Sequence, residues 1–357
     1  MPSVVVVLEG DQTGQELLVQ ALRVLEPEVI GATLQFVRFD LSLENRRRTR
    51  NQVVHDAAAV LNQYRRGLKA ATITPESKDD VGSPNALLRE AIGAQVILRT
   101  GRPIPGVRPL AKVAAPIAVI RMAVEDAYGA KEWREGDGLD QIAYRTTKVT
   151  RRNCRIVAEF AFQHAQRMGA KVFGGSKYTV SPVYEGLLKE EMDAAAQRYP
   201  RVPYEPHLID AVYALILLAT DESLVIPALN RDGDTLSDLV MQMFGSIAGG
   251  ESIVLALDDA LQVRVALAEA SHGTVPTLFG TNRANPMAML LAAASLLSYV
   301  EDPQLRRASR AIYEATFEVV RDGVRTADLG GTATTVEVTD AVIRRVRSKL
   351  HDTSRGR

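Results

Sequence analysis

Val4-Val-Val-Val-Leu8-Glu-Gly10-Asp11-Gln12-Thr13-Gly14-Gln15, near the start of the 357-residue chain, decides how the rest is read. A continuous apolar run from Val4 to Leu8 has strand length and suits a strand buried on both faces, as parallel strands are. The turn at residues 10–15 then delivers a helix carrying Leu17, Leu18, Ala21, Leu22 and Leu25. The same unit recurs downstream. Residues 34–39 read as a second strand, 53–64 as a helix, and 70–74 as a short strand that Pro75 stops. Residues 85–92 are helical, 95–98 extended, and 117–121 another buried strand. Strands alternating with helices predict an α/β fold around a largely parallel sheet.

The rhythm breaks at residues 128–150. Glycine, charge and an alternation that includes Ile142, Tyr144, Thr146 and Val149 predict an antiparallel arm there, outside the core. Residues 151–168 read as an amphipathic helix, 171–174 as a short strand, 181–196 as a helix with a charged wet face, and 211–219 as a buried helix. Extended segments at 224–229 and 252–257, with the run on to Ala270, precede a Gly/Pro-rich loop at 271–286. Helices at 287–299, 303–321 and 339–350 complete the chain. Arg46-Arg47-Arg48 has no aromatic neighbours and reads as a solvated face.

Chain length suggests two domains, or one split by an insertion. The 43 basic residues equal the 43 acidic ones, so no global field recruits nucleic acid or a membrane. One cysteine, Cys154, excludes an internal disulfide and fits a reducing cytoplasm. The N-terminus has no basic region ahead of its apolar run, and no run reaches membrane-spanning length. Neither a signal peptide nor a membrane anchor is expected. No strand leads into G-x-G-x-x-G, and no P-loop is present; Gly245-Ser-Ile-Ala-Gly-Gly250 comes nearest but follows a helix. Scattered histidines and the single cysteine exclude a structural zinc cluster.

Chemistry concentrates at Asn230-Arg-Asp-Gly-Asp234-Thr-Leu-Ser-Asp238. Residues 230–233 form a turn signal, Asp234 or Thr235 is a candidate cap, and helical spacing then stacks Asp234 on Asp238. Two acids at a helix start suit its dipole, which is the plain structural reading. The alternative is a divalent-cation site, because hard oxygen ligands on one face chelate Mg2+ or Mn2+. Arginines supply the second signal. Ser83-Pro-Asn85-Ala-Leu-Leu-Arg89 opens a helix, while Arg99 and Arg121 end apolar strands. Ligands bind at strand ends of α/β sheets, and guanidinium forks match carboxylates, so a polyanionic substrate is expected.

These stretches, in order along the whole chain, resemble the isocitrate/isopropylmalate dehydrogenase family of metal-dependent β-decarboxylating dehydrogenases. Gly10-Asp11-Gln-Thr-Gly14-Gln-Glu16 is similar to the family's Gly-Asp-Gly-Ile-Gly-Pro-Glu opening. Residues 69–75 resemble its nicotinamide-side strand and loop, with Thr74 at a conspicuous threonine. Arg121-Met-Ala-Val-Glu-Asp-Ala-Tyr128 resembles the segment ending in a catalytic tyrosine, and Ser176-Lys177-Tyr-Thr179 the one holding a catalytic lysine. Leu208-Ile-Asp210 and Gly233-Asp234-Thr-Leu-Ser-Asp238 resemble the metal-site segments. His272-Gly-Thr-Val-Pro276 through Ala284-Asn285-Pro286 is similar to the adenosine-binding loop, and Asp328-Leu-Gly-Gly331 closes the series. Departures are Gln12, Thr13 and Gln15 in the opening loop, read as of little chemical consequence, Met122 for a common glutamate, and Thr179 for an asparagine.

The resemblance implies two α/β domains sharing a central mixed sheet. Residues 1–94 and 246–357 would form the large cofactor-binding domain, and 95–245 the small substrate and dimerisation domain, with a dimer-clasp arm at about 128–150. It implies oxidative decarboxylation of a 3-substituted malate. Asp210, Asp234 and Asp238 would hold the metal. Lys177 would be the base and Tyr128 the acid. Ser83, Asn85, Arg89, Arg99 and Arg121 would bind substrate. Thr74, His272, Gly273, Thr274, Thr277, Leu278 and Asn285 would contact the cofactor. Thr277-Leu278 brings no positive charge where the two cofactors are told apart, which favours NAD over NADP. It further implies a homodimer with Lys177 and Asp210 supplied across the interface. Ser83 and Asn85 point to isocitrate; Arg102 and Arg108 are compatible with an additional anionic tail. The alternatives are 3-isopropylmalate, homoisocitrate or another malate analogue, and a non-catalytic regulatory subunit.

Overall fold

The computed structural model describes residues 3–77, 79–218 and 221–352. Its centre is a ten-stranded mixed sheet. The first half of the chain contributes β1 (Ser3–Glu9), β2 (Leu34–Asp40), β3 (Arg66–Lys69), β4 (Val96–Gly101) and β5 (Ile117–Met122). Next comes a separate antiparallel ribbon of β6 (Asp126–Glu135) and β7 (Ile142–Lys148). The second half contributes β8 (Lys171–Phe173), β9 (Tyr204–Glu205), β10 (Leu224–Ala228), β11 (Glu251–Leu257) and β12 (Val263–Ala270). Sheet order is β2-β1-β3-β12-β11-β4-β5-β10-β8-β9, with β11 and β4 each antiparallel to both neighbours and the outer groups parallel.

The helices are α1 (Gln12–Val24), α2 (Pro27–Ile30), α3 (Leu43–Thr49), α4 (Gln52–Tyr64), α5 (Pro84–Ile92) and α6 (Arg151–Met168). They continue with α7 (Gly186–Arg198), α8 (Ile209–Leu215), α9 (Asn230–Met243), α10 (Met287–Ser298), α11 (Pro303–Arg321) and α12 (Thr335–Asp352). Strand β1 is apolar from Val4 to Leu8 because both faces are covered: Val5 and Val7 join the cluster under α1 and α10, Val6 and Leu8 the one under α4. Helix α10 packs against β11, β12, α1 and α11, and it buries Met287 to Leu297 with the single exception of Ser295. Among the described residues no helix is long and apolar enough to cross a membrane.

Several expectations are corrected. Strand β3 ends at Lys69, and residues 70–75 are loop, because Gly10 and Gly14 bring the opening turn onto the backbone of Ala71, where a Cβ would collide. Asp11 accepts from Ile73 N at 2.8 Å and Leu43 N at 2.9 Å, so one carboxylate fixes both loops. The opening loop's substitutions also have consequences. Gln12 sits at φ 50°, Gln15 Oε1 accepts from Gly10 N at 2.9 Å, and Thr13, fully buried, donates to Val275 O at 2.8 Å. Arg46 is no solvated residue: it is fully buried, donating to the carbonyls of Leu41, Gly82 and Ile73. The buried helix expected at 211–219 is α8, ending at Leu215, with Leu217 and Leu218 exposed; Ala219 lies outside the described residues. Helix α9 begins at Asn230, so Asp234 and Asp238 lie within it rather than at its cap.

Candidate active site

Register across the sheet lays out the site. Lys69 on β3 pairs with Glu269 on β12, Glu269 with Ser252 on β11, and Ser252 with Arg99 on β4. Arg121 on β5 pairs with Ile97, two residues from Arg99, so both guanidinium groups leave the same face of the sheet. One row of polar side chains therefore crosses five neighbouring strands. Sequence reading identified only the two arginines. The available signal for the others was a charge at the end of a strand with apolar neighbours, as at Lys69 after Leu68 and Glu269 between Ala268 and Ala270.

Two helices close over this row. From α5, Arg89 reaches Glu269 at 3.6 Å, the same distance that separates Lys69 Nζ from Glu269. Burial drives the Lys69 ammonium down in pKa against the attraction of Glu269. Glu269 suffers the same burial, but Lys69 and Arg89 outweigh it and hold the carboxyl below its ordinary range. Glu269→Gln leaves two buried cations with a neutral amide, which costs about 3–5 kcal/mol. Denaturant titration measures it. The sign follows from linkage: with the folded pKa below the unfolded one, the wild-type contribution is complete above the ordinary glutamate pKa. It is lost as pH falls through the lower, folded value. The gap between wild type and variant therefore narrows in acid.

From α9, Asp234 and Asp238 stack one turn apart and meet Arg99 at 3.4 and 3.1 Å. Arg99 also donates to Ser237 at 3.0 Å and to Ser252 at 3.3 Å. Arg121 donates to Asp234 and, at 2.9 Å, to Asn230. Burial lowers this guanidinium to about 10, with Arg89 and Arg99 adding to the effect. Burial opposes ionisation of Asp234 too, yet Arg121, the Tyr128 hydroxyl and Arg99 together hold it below the usual carboxylate value. Asp238 goes the other way, its burial outweighing Arg99. Tyr128 Oη donates to Asp234 while the ring stands 5.1 Å from the Arg121 guanidinium carbon. Desolvation, then the bond to Asp234, raises its phenol.

Most of these groups, but not Asp238, line a cavity of about 270 Å³. Thr74, Ser83, Asn85, Arg89, Arg99, Arg121, Tyr128, Asp234, His272 and Gly273 all face it, as do Lys69, Glu125 and Glu269. Two of the lining residues carry a buried atom with no hydrogen-bond partner among the described residues, Asn85 Oδ1 and His272 Nε2. His272 Nδ1 lies 3.0 Å from the Gly273 carbonyl, so it carries the proton and leaves Nε2 a bare acceptor.

Other expected site residues lie elsewhere. Lys177 and Asp210 form an ion pair with each other and line no part of this cavity. Among the described residues no three His, Cys, Asp or Glu side chains gather as a metal cage; this chain brings only Asp234 and Asp238 together. Thr277 and Leu278 belong to a short 3-10 turn, Pro276–Leu278, beside Thr274, and Asn285 is buried, donating to Asp328 at 2.9 Å. Arg102 bonds Glu251 at 3.1 Å and stands 5.0 Å over the Tyr313 ring, and Arg108 is exposed away from the cavity. Neither extends the substrate site, which corrects that expectation.

The profile of the isocitrate/isopropylmalate dehydrogenase family matches residues 4–342. The chain belongs to this family. It is 28% identical over 345 residues to an isocitrate/homoisocitrate dehydrogenase of Thermus thermophilus, covering 96% of this chain and 98% of that one. Identity to a 3-isopropylmalate dehydrogenase of Methanothermobacter thermautotrophicus is 28%, over 95% of this chain and 97% of the relative. Identity to a decarboxylating D-malate dehydrogenase of Escherichia coli is 29%, over 94% and 96%. The isocitrate dehydrogenase structure from Methylococcus capsulatus superposes with a TM-score of 0.84 at 23% identity, covering 97% of this chain and all of that one, which shows a common fold. Members of the isocitrate/isopropylmalate dehydrogenase family are NAD(P)-dependent decarboxylating dehydrogenases that use a divalent metal.

Proposed function

We propose that this family member oxidises and decarboxylates isocitrate, or a closely similar polar 3-substituted malate, with NAD and Mg2+ or Mn2+. The observation that carries the reading is the convergence of Arg89, Arg99, Arg121, Tyr128 and Asp234 on one cavity, which matches a substrate with several carboxylates. The acid residues fit a hard divalent ion: Asp234 and Asp238 offer carboxylate oxygens one helical turn apart, and Asp210 of a second copy would be the third ligand. The loop at His272 fits a dinucleotide: His272 and Gly273 line the cavity, and His272 Nε2 is a buried acceptor with no partner among the described residues. When bound, the ion supplies Lewis acidity at the substrate hydroxyl and the carbonyl it becomes, and the dinucleotide accepts the hydride.

The chain's own residues do the rest. Arg89, Arg99 and Arg121 hold carboxylates, and release of the arginines from Asp234 and Asp238 accompanies ligand entry. Ser83 and Asn85 read the 3-substituent, where two hydrogen-bonding residues suit a third carboxylate better than an isopropyl group. Lys177 of a second copy takes the hydroxyl proton at Nζ. Tyr128 Oη, kept protonated by its burial, returns a proton to the carbon that has lost carbon dioxide. The division into residues 1–94 with 246–357 and residues 95–245 would place the cavity in the cleft between two domains. Thr277-Leu278 carries no cation for a 2′-phosphate, which supports NAD.

The test is NADH formation by purified protein with Mg2+ across isocitrate, homoisocitrate, 3-isopropylmalate and D-malate. We expect kcat/KM for isocitrate to exceed that for isopropylmalate by about 10⁴-fold, the discrimination a hydrogen-bonding subsite gives against a substituent that leaves its polar groups unpaired. A preference for isopropylmalate or D-malate overturns the assignment, and no turnover of any favours a regulatory subunit.

A further inference from the structure

Tyr128 stands two residues beyond an unusual kink. Glu125 and Asp126 adopt φ 65° and 60°, consecutive left-handed residues with side chains, a conformation that surrounding bonds must enforce. Four contacts do so. Glu125 Oε2 accepts from Thr150 N at 2.8 Å, and its backbone carbonyl accepts from Asn230 Nδ2 at 3.1 Å. Asp126 Oδ1 accepts from the Tyr184 hydroxyl at 2.7 Å, and Oδ2 from Arg231 N at 2.8 Å. Helix α9 has no side-chain cap of its own: its N-cap position is Leu229. Asp126 supplies that cap from a distant segment, at the first turn of the helix that presents Asp234 and Asp238.

The second oxygen leads to the other half of the machinery. Tyr184 precedes Glu185, whose carboxylate accepts from Lys177 N. One buried carboxylate thus ties together the root of the Tyr128 strand, the start of α9 and the loop bearing Lys177. In the assignment above, Lys177 serves a site in a second copy, while Tyr128 and Asp234 serve the site of their own chain.

We propose that Asp126 is a positioning residue that fixes the relative placement of the Tyr128, Asp234 and Lys177 segments. The inference rests on the functional reading. It predicts a pattern that strain alone would not produce. Asp126→Gly removes the side chain and relieves the left-handed conformation, so the thermal midpoint stays near wild type while both bonds vanish. Asp126→Asn tolerates the same backbone and can rebuild both contacts, Oδ1 accepting from Arg231 N and Nδ2 donating to Tyr184 Oη.

The experiment compares wild type, Asp126→Gly and Asp126→Asn as full-length proteins. Readouts are kcat, substrate KM, and amide hydrogen exchange at residues 231–234 and 177–181. We expect the glycine variant to lose about 30-fold in kcat with KM within about threefold, the size of loss expected for two such bonds. Both segments exchange faster in it, and the asparagine variant remains within about threefold of wild type throughout. Wild-type kcat and exchange in the glycine variant overturn the proposal, as does an asparagine variant as impaired as glycine. Exchange needs neither substrate nor metal, so it decides the role of Asp126 even if wild type turns over no hydroxy acid and the functional reading fails.

Discussion

Asp234→Asn lowers kcat/KM by about 10³-fold, the largest single-residue effect expected in this chain. The carboxylate has three partners at once: Arg121, Arg99 at 3.4 Å and the Tyr128 hydroxyl. An amide leaves the buried Arg121 facing a neutral group and removes a hard anionic ligand from the proposed ion. Weakening the hold on the ion removes several kcal/mol of transition-state charge stabilisation, and about 4 kcal/mol corresponds to three decades. The measurement is steady-state kinetics at saturating Mg2+, with Mn2+ titration of the same protein. Asn230 still accepts from Arg121, so the thermal midpoint changes far less than the rate. A loss of under tenfold would remove Asp234 from the catalytic set.

Two inactive variants, mixed, recover activity. Lys177 and Asp210 pair with each other away from the cavity that contains Asp234, so a complete site in the proposed reading draws on two copies. Lys177→Ala and Asp234→Asn homodimers should each be nearly inactive. Denatured together and refolded in equal amounts, random pairing makes about half the dimers mixed. In a mixed dimer the intact Asp234 of one copy faces the intact Lys177 of the other, while the second site carries both lesions. The mixture then shows about one quarter of wild-type activity, as two-fold symmetry requires. Activity no higher than that of the separate variants after verified mixing means that each site is built from a single chain.

The strands and helices that surround the core were legible because they carry their periodicity locally. The run from Val4 to Leu8 and helix α11, Pro303–Arg321, follow directly from apolar spacing, a proline at the helix start and the Asp302 cap. Errors fell where long-range contacts override local preference. Arg46 sits beside Arg47 and Arg48 in an apparently wet cluster, yet the distant carbonyls of Ile73 and Gly82, with the nearby one of Leu41, draw it inward. Asn230 looks like a turn residue, yet Asp126 lets the helix start there.

Sequence by itself determined the alternating α/β plan, the antiparallel arm and the family motifs around Arg89, Arg99, Arg121 and Asp234. Each is written in residues close together along the chain. Only tertiary structure decided that Lys69, Glu269, Ser252 and Arg99 form one row, because strand register joins positions up to 200 residues apart (Lys69 and Glu269). The separation of Lys177 and Asp210 from that row was likewise decided by packing, since a carboxylate's neighbours depend on where the backbone brings it and not on the motif that surrounds it.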